Sequence, residues 1–194
     1  MWHKSGVERS QRPRHVPPPL DQQRLQELAL RYVGKYATTR AKLSAYLNRK
    51  IRERGWEGER AANVAALANR FAELGYVDDA AYALGQSRSL SARGYGKRRL
   101  TGKLRLAGVD EADGGDARRH ADAEAVRAAL RLAERRRLGP FASIEADRPQ
   151  REKWVAAMIR AGHGFGLARA IAAMPPGADV DEDQLSEFVQ STDD

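Results

Sequence analysis

The residues best suited to binding chemistry form one basic segment in the middle of the chain. Between positions 80 and 109 there is no Asp or Glu, whereas seven side chains are basic. They are Arg88, Arg93, Lys97, Arg98, Arg99, Lys103 and Arg105. Exposed guanidinium and ammonium groups bind phosphate oxygens and carboxylates alike. The segment therefore predicts a surface for an anionic partner, and the choice between nucleic acid and acidic protein stays open.

The start of a helix within this segment strengthens the prediction. Lys97, Arg98 and Arg99 open that helix, where positive side chains oppose the helix dipole at a cost of about 0.3–1 kcal/mol each. Side chains placed against their local preference are expected to face an anionic partner. Tyr95, between two glycines, could stack on a base or pack against a neighbouring helix, and packing is the favoured interpretation.

Two further basic stripes occur outside this segment. Each alone is typical of a solvated helix face, although three such faces in succession would form a continuous track. The second stripe consists of Arg40, Lys42, Arg49, Lys50, Arg52 and Arg54, and the third of Arg131, Arg135, Arg136 and Arg137.

No catalytic, cofactor or metal site is predicted, and we do not expect an enzyme. Residues 94–97 are similar to a phosphate-binding loop, but a Walker A loop needs Gly in place of Ser91 and Ser or Thr in place of Arg98. The histidines, at positions 3, 15, 120 and 163, lack metal-ligand spacing, and cysteine is absent. His163 follows a glycine that ends a helix, which indicates a structural role.

The net charge of +8 is unevenly distributed. Residues 1–177 contain all 34 basic residues and 19 acids, a net charge of +15, whereas residues 178–194 contain seven acids and no base. So basic a body attracts polyanions in a salt-dependent manner, although an arginine-rich genome would produce the same excess. Because there is neither a membrane span nor a signal-peptide core, we expect a cytoplasmic protein.

The apolar pattern predicts helices almost everywhere from Asp21 to Met174, with no alternation typical of strands. The polar, Pro-rich residues 1–20 predict a disordered arm. Residues 113–116 are expected to form a loop or a short broken helix, and Pro175-Pro176-Gly177 to end the fold. The predicted helices cover about 21–36, 40–54, 64–74, 80–91, 97–107, 121–138, 148–162 and 167–174.

Three glycines that end predicted helices recur at nearly equal intervals. Gly55, Gly108 and Gly162 are 53 and 54 residues apart, and apolar residues lie four and eight positions before each. Such spacing favours an internal repeat. We therefore predict an all-α monomer of three tandem three-helix repeats, elongated and curved. The expected segments are the arm 1–20, the repeats 21–77, 78–118 and 119–177, and an acidic tail 178–194.

Several motifs resemble those of the RecX regulatory proteins, in which a GYLDD turn is followed by RGYGPRRI. The corresponding segments here are Gly75-Tyr76-Val77-Asp78-Asp79 and Arg93-Gly94-Tyr95-Gly96-Lys97-Arg98-Arg99-Leu100. Residues 39–43 (TRAKL) are similar to the family's SRAEL start of helix two, and residues 160–171 to its third-repeat ending. The likeness covers about residues 22–174, and the family's three-helix repeats agree with the repeat described above.

The resemblance implies a regulator of the RecA recombinase, with a role in DNA repair, recombination and the SOS response. Such a protein would lie in the groove of the RecA filament on single-stranded DNA and damp ATP hydrolysis and strand exchange. The alternative is a helix-turn-helix type of protein that binds DNA or RNA directly. Carried over by position, the expected contact residues are Arg93, Tyr95, Lys97, Arg98 and Arg99, with Arg88, Lys103 and Arg105 beside them.

The chain departs from the family's pattern at four places. Lys97 stands where proline is usual, and Lys42 replaces a glutamate that would complete a capping box. Residues 113–116 are glycine-rich where the family has a helix, so we expect the second repeat to close poorly. The acidic tail is not shared, and it either screens the basic body or has no role.

Overall fold

The computed structural model describes residues 17–190. Its regular structure is helical apart from one bridge between Leu20 and Trp56, which confirms the all-α class. No helix of this range is long and apolar enough to cross a membrane. A 3₁₀ turn at Gly139–Phe141 follows α7. The α-helices of the described range are α1 (Gln22–Val33), α2 (Arg40–Arg54), α3 (Val64–Glu73), α4 (Asp79–Ala92), α5 (Lys97–Leu106), α6 (Gly115–Ala123), α7 (Ala125–Arg136), α8 (Arg148–Arg160), α9 (Phe165–Ala173) and α10 (Glu182–Gln190).

The buried apolar side chains form three clusters that follow one another along the chain. The first extends from Leu20 to Val77 around α1–α3, and the second from Tyr82 to Ala121 around α4–α6. The third begins at Val126 and is built on α7–α10. This arrangement is consistent with three helical units, which we number one to three in chain order and name the first, second and third unit.

The break between the second and third units lies at Glu124. A single helix over residues 121–138 was the expectation, and it is wrong, because α6 ends at Ala123 and α7 begins at Ala125. The expected boundary after residue 118 therefore falls inside α6. The hydrogen-bond ladder continues across the break, since the Ala128 amide still donates to Glu124. The two helices belong to different clusters. Apolar periodicity does not reveal where the chain passes from one cluster to the next.

The second unit is closed despite its glycines. The expectation of poor closure for residues 113–116 is wrong, because α6 begins at Gly115 and buries Ala117 and Ala121. The Ser87 hydroxyl of α4 donates to the carbonyl oxygen of Ala117 at 2.8 Å. Small side chains on α6 therefore let it approach α4 closely.

The glycines of the repeat end their helices as the sequence indicates. Gly55, Gly108 and Gly162 have φ values of 83°, 68° and 98°, in the left-handed region that favours glycine. Behind two of them the chain closes with a hydrogen bond typical of a glycine cap: the Val109 amide donates to Leu104 at 3.1 Å, and the amide after Gly162 closes the end of α8 in the same way.

The units contact each other through the ends of their middle helices. The Thr39 hydroxyl at the start of α2 donates to Ala107 at the end of α5 at 2.6 Å, and a Cβ atom on Gly108 would collide with α2. At the start of α5, the Arg98 amide donates to Gly162 at the end of α8 at 3.2 Å. The helices α8, α5 and α2 thus follow one another, each C-terminus meeting the next N-terminus.

The ordered chain begins before the expected boundary. Residues 1–20 were expected to be a disordered arm, and this is wrong for residues 17–20; residues 1–16 lie outside the described range. Leu20 is fully buried in the first cluster, and its amide donates to Gly55 at 3.0 Å. Pro18 accepts hydrogen bonds from Arg54. This segment covers the C-terminal end of α2. The corresponding ends of α5 and α8 are covered instead by the middle helix of the preceding unit.

The chain also continues past the expected end. Pro175-Pro176-Gly177 does not end the fold, since Glu182–Gln190 forms α10. The Asp181 carboxylate accepts hydrogen bonds from the amides of residues 183 and 184 at 2.9 and 3.1 Å, and Leu185 is buried in the third cluster. An N-cap and one apolar anchor thus turn part of the acidic tail into a packed helix.

Candidate interaction surface

The central motif forms the junction between the second and third units. The Gly96 amide donates to Ala161 at 3.0 Å, and the His163 ring donates from Nε2 to the carbonyl oxygen of Gly94 at 3.1 Å. The two backbones are so close that a Cβ atom on Gly96 would collide with the Gly162 carbonyl. The glycines of the motif are therefore required by inter-unit packing.

Lys97, the departure from the family's proline, is accommodated at this junction. Gly96 caps α5 without a side-chain hydrogen bond, but the Arg98 amide of the first turn is satisfied by Gly162. The Lys97 ammonium lies 2.9 Å from the Asp122 carboxylate. The neighbouring unit and this ion pair hold the start of α5, so a rigid first residue is not needed.

Tyr95 packs between two units. Its half-buried ring contacts both the second and the third apolar cluster. The guanidinium groups of Arg93 and Arg99 lie 5.7 and 4.3 Å from its centre, within the range of a cation–π interaction. The packing interpretation is confirmed, and because its ring is half-buried between two apolar clusters, Tyr95 is a poor platform for a base.

His163 is a buried element of the same junction. It is 2% exposed, and burial lowers the pKa of its imidazole, while the hydrogen bond to Gly94 raises it by a smaller amount. The neutral ring therefore serves as a hydrogen-bond donor, which confirms the structural role expected for His163. No group of His, Asp or Glu within residues 17–190 is arranged to hold a metal ion.

The cations of α4 and α5 are mostly free of internal partners. Lys97 is engaged with Asp122, and Arg93 donates to the Ser89 carbonyl at 3.0 Å. The Arg99 guanidinium lies beside the Tyr95 ring and forms no ion pair with residues 17–190. Four further residues form no ion pair and no side-chain hydrogen bond with any residue between 17 and 190: Arg88, Arg98, Lys103 and Arg105. We call the four of these residues that lie on α5 the α5 surface: Arg98, Arg99, Lys103 and Arg105.

The other two basic stripes are largely engaged inside the molecule. Arg40 lies 3.2 Å from Asp79 and 2.6 Å from Asp113, and these carboxylates raise its pKa, with the hydrogen bond to Asp79 as the largest cause. In the third stripe, Arg131 pairs with Glu124 at 2.7 Å. Other engaged cations are Lys42 (with Tyr82), Arg49 and Lys50 (with Glu53), Arg54 (with Pro18) and Arg135 (with Arg93).

Sequence reasoning did not find the cluster formed by Arg40, Asp79 and Asp113. The two aspartates that precede α4 have different roles: Asp78 is the cap, accepting from the Ala81 amide at 2.8 Å. The Asp79 carboxylate instead accepts from the Arg40 amide of the first unit at 2.9 Å. The only signal available was the doubled aspartate, since a helix needs one cap and the second acid is left for another partner.

A cleft of about 500 Å³ opens beside the start of α5. Lys97 and Arg98 line one side of it, and Glu182 and Asp183 of α10 line the other. Glu182 also lies 3.2 Å from the Arg127 guanidinium. The acidic helix therefore adjoins the basic residues of the central motif, and screening of those residues by the tail stays a prediction.

One curated relative is similar to this chain over most of its length. It is the regulatory protein RecX of Myxococcus xanthus (strain DK1622), with 36% identity over 175 residues that cover 85% of this chain and 90% of the relative. The chain belongs to the RecX family. The crystal structure of RecX from Lactobacillus salivarius shares the fold, with a TM-score of 0.54, 18% identity, and coverage of 88% of this chain and 96% of that chain. No model of a known protein family matches.

Membership of the RecX family confirms the resemblance drawn from the central motifs. In this RecX chain the motif has two parts with different surroundings. Gly94 and Gly96 are buried at the junction, whereas Arg98 and Arg99 are exposed to solvent. The buried part positions the exposed part relative to the third unit.

Proposed function

We propose that this protein regulates a RecA recombinase by binding to the filament that RecA forms on single-stranded DNA, and that it damps ATP hydrolysis and strand exchange there. It would act as a monomer and by binding rather than by catalysis. The proposal rests on its RecX relative, which is named a regulatory protein, and on the α5 surface. That surface is the structural observation that carries it.

The α5 surface suits an extended anionic partner. Its cations form no ion pair with acids of residues 17–190, so they can pair with phosphates or with acidic side chains of a partner. The central motif anchors α5 at its first turn against Gly162. The anchored backbone fixes where these cations project, so binding has to order the side chains but not the helix.

The same geometry argues against the alternative of a helix-turn-helix protein. A recognition helix inserts its N-terminal residues into the major groove. The N-terminus of α5 is instead covered by the end of α8, with backbone contacts at Ala161 and Gly162. DNA could contact the exposed side chains of this turn, but the end of α5 could not enter a groove without separating the second and third units.

The test is the ATPase rate of RecA on preformed filaments, with the protein titrated in. We expect a dose-dependent fall for the wild type and little or none for the double variant Arg98→Glu/Arg105→Glu. Because acidic residues in a first turn favour a helix, the change at Arg98 is not expected to unfold α5. Circular dichroism checks this.

The matched control is Arg52→Glu/Arg136→Glu, which changes the net charge equally at exposed arginines that form no ion pair with residues 17–190. It should inhibit like the wild type. Equal loss of inhibition in both double variants would show that net charge alone matters. An unchanged rate at all wild-type concentrations, with DNA in excess to exclude competition for free DNA, would refute the proposed function.

A further inference from the structure

An aromatic ladder lines an open groove between α1 and α2, on the first unit. The rings of Tyr32 and Tyr46 are stacked, with centres 4.2 Å apart and planes inclined by 15°. Tyr36 continues the ladder, its ring centre 5.3 Å from that of Tyr32. Its plane is inclined by 51° to that of Tyr32, and because Tyr36 is 49% exposed, this end of the ladder is open to solvent.

Four cations surround these rings. The ammonium of Lys35 lies 5.4 Å from the ring centre of Tyr36. Arg49 and Lys50, one helical turn after Tyr46, lie 5.6 and 5.9 Å from its ring, and Arg31 lines the same groove. The arrangement follows from helical spacing, because residues three and four apart share a helix face.

The rim also contains two acidic residues, and their negative charge does not cancel the positive charge of the four cations. Glu27 lies 3.5 Å from Arg31. Glu53 pairs with Lys50 at 2.6 Å and with Arg49 at 3.6 Å. Lys35 has no acidic partner within residues 17–190, and the groove keeps an excess of positive charge.

We infer that this groove is a binding site for single-stranded nucleic acid, separate from the α5 surface. Proteins that bind single strands combine a positively charged groove for the backbone with aromatic rings on which bases stack. The exposed face of Tyr36 offers the stacking platform, and Lys35 and Arg31 are placed to meet phosphates. A duplex would not use the ladder, since its base faces are covered. An acidic protein would use the cations but gain nothing from the rings.

The test measures binding of a short fluorescein-labelled oligothymidylate to the full chain by fluorescence anisotropy, without RecA. The Arg98→Glu/Arg105→Glu background removes the contribution of the α5 surface. In that background, Tyr36→Ala should weaken binding about tenfold, the loss of one stacked base. Tyr36→Phe should bind normally, because stacking needs the ring and not the hydroxyl group.

The matched control is Tyr76→Ala, in the same unit. Tyr76 is 54% exposed, its ring lies near Phe71, and no cation of the described residues lies over it. Tyr76→Ala should bind the oligonucleotide as tightly as the Arg98→Glu/Arg105→Glu background does. Unchanged affinity in Tyr36→Ala, equal weakening in Tyr76→Ala, or equally tight binding of a duplex of the same sequence would each overturn the inference.

A second measurement does not depend on a variant. An oligonucleotide carrying 5-iododeoxyuridine should crosslink on irradiation to the peptide that contains Tyr36 or Tyr46, and crosslinks only elsewhere would refute the site. Both measurements omit RecA, and the ATPase measurement does not vary this groove. A failure of one proposal is therefore distinguishable from a failure of the other.

Discussion

At the scale of single residues, the closest contacts between units are made by glycine. Gly162 has a φ of 98°, where an L-residue is strained. A Cβ atom there would also lie 2.6 Å from the Arg99 amide nitrogen and 2.9 Å from the Gly96 carbonyl oxygen. Neither neighbour can yield easily, since both are backbone atoms. The helix cap requires glycine because of the positive φ, and the junction between units requires it because of the close backbone contacts.

The variant Gly162→Ala should therefore lose about 2 kcal/mol or more of the free energy of unfolding, because backbone strain and a steric collision add. Urea denaturation measures it. Gly85→Ala in α4 is the control: its Cβ would meet no atom within 4 Å, and alanine in a helix should stabilise by up to about 1 kcal/mol. Similar effects of the two substitutions would contradict the close-contact account.

His163 makes the same junction sensitive to pH. Burial lowers its pKa from the ordinary value of 6.5, so below that pH the unfolded chain binds a proton that the folded chain excludes. The free energy of unfolding should fall as the pH drops below about 6.5 and level off below the lowered pKa. His163→Gln should lose this component. An identical pH dependence in both proteins would show that His163 does not contribute.

At the scale of helices, local signals were sufficient wherever a residue acts within its own helix. Thr39 and Asp147 cap α2 and α8 through their side chains, as threonine and aspartate commonly do at a helix start, and Gly108 ends α5 as predicted. Features set by distant parts of the chain were not predictable. Leu20 is ordered by backbone contacts near Gly55, and the break at Glu124 arises where two helices join different clusters.

The acidic helix α10 is the third such case, because its charge concealed its apolar face. Leu185 is 5% exposed and contacts the third cluster. Leu185→Ala should cost about 2 kcal/mol, the lower end for such a change in a core, since a terminal helix can detach locally. Hydrogen exchange should show the amides of α10 losing protection. Retained protection would mean that α10 is held by its ion pairs instead.

At the scale of the whole molecule, the candidate site depends on which cations are left free. The sequence located the basic residues correctly, but their availability could not be predicted from it. Arg40 is neutralised by Asp113, 73 positions further along the chain, and Arg131 is partly occupied by the Ser91 carbonyl of the second unit. Contacts between units thus occupy Arg40 and Arg131, whereas the cations of the α5 surface form no ion pair with residues 17–190.

The contact between Asp79 and Arg40 links the first and second units, and a single substitution can remove it. The Asp79 carboxylate accepts from both the amide and the guanidinium of Arg40 at 2.9 and 3.2 Å, and its side chain is 3% exposed. Asp79→Ala leaves that amide without its partner at a cost of about 2 kcal/mol. In a chain of units that contact only their neighbours, such a loss should separate their unfolding transitions.

Two tryptophans report the two ends of the molecule, Trp56 in the first unit and Trp154 in the third. With Trp2 and one of them replaced by Phe, the urea transitions of the two reporters should coincide in the otherwise unchanged protein. In Asp79→Ala the Trp56 transition should move to lower urea than that of Trp154. Asp116→Ala, which removes only an exposed pair within α6, should move neither. If both reporters shifted together in Asp79→Ala, the units would be unfolding as one body and the junction would not be a local point of coupling.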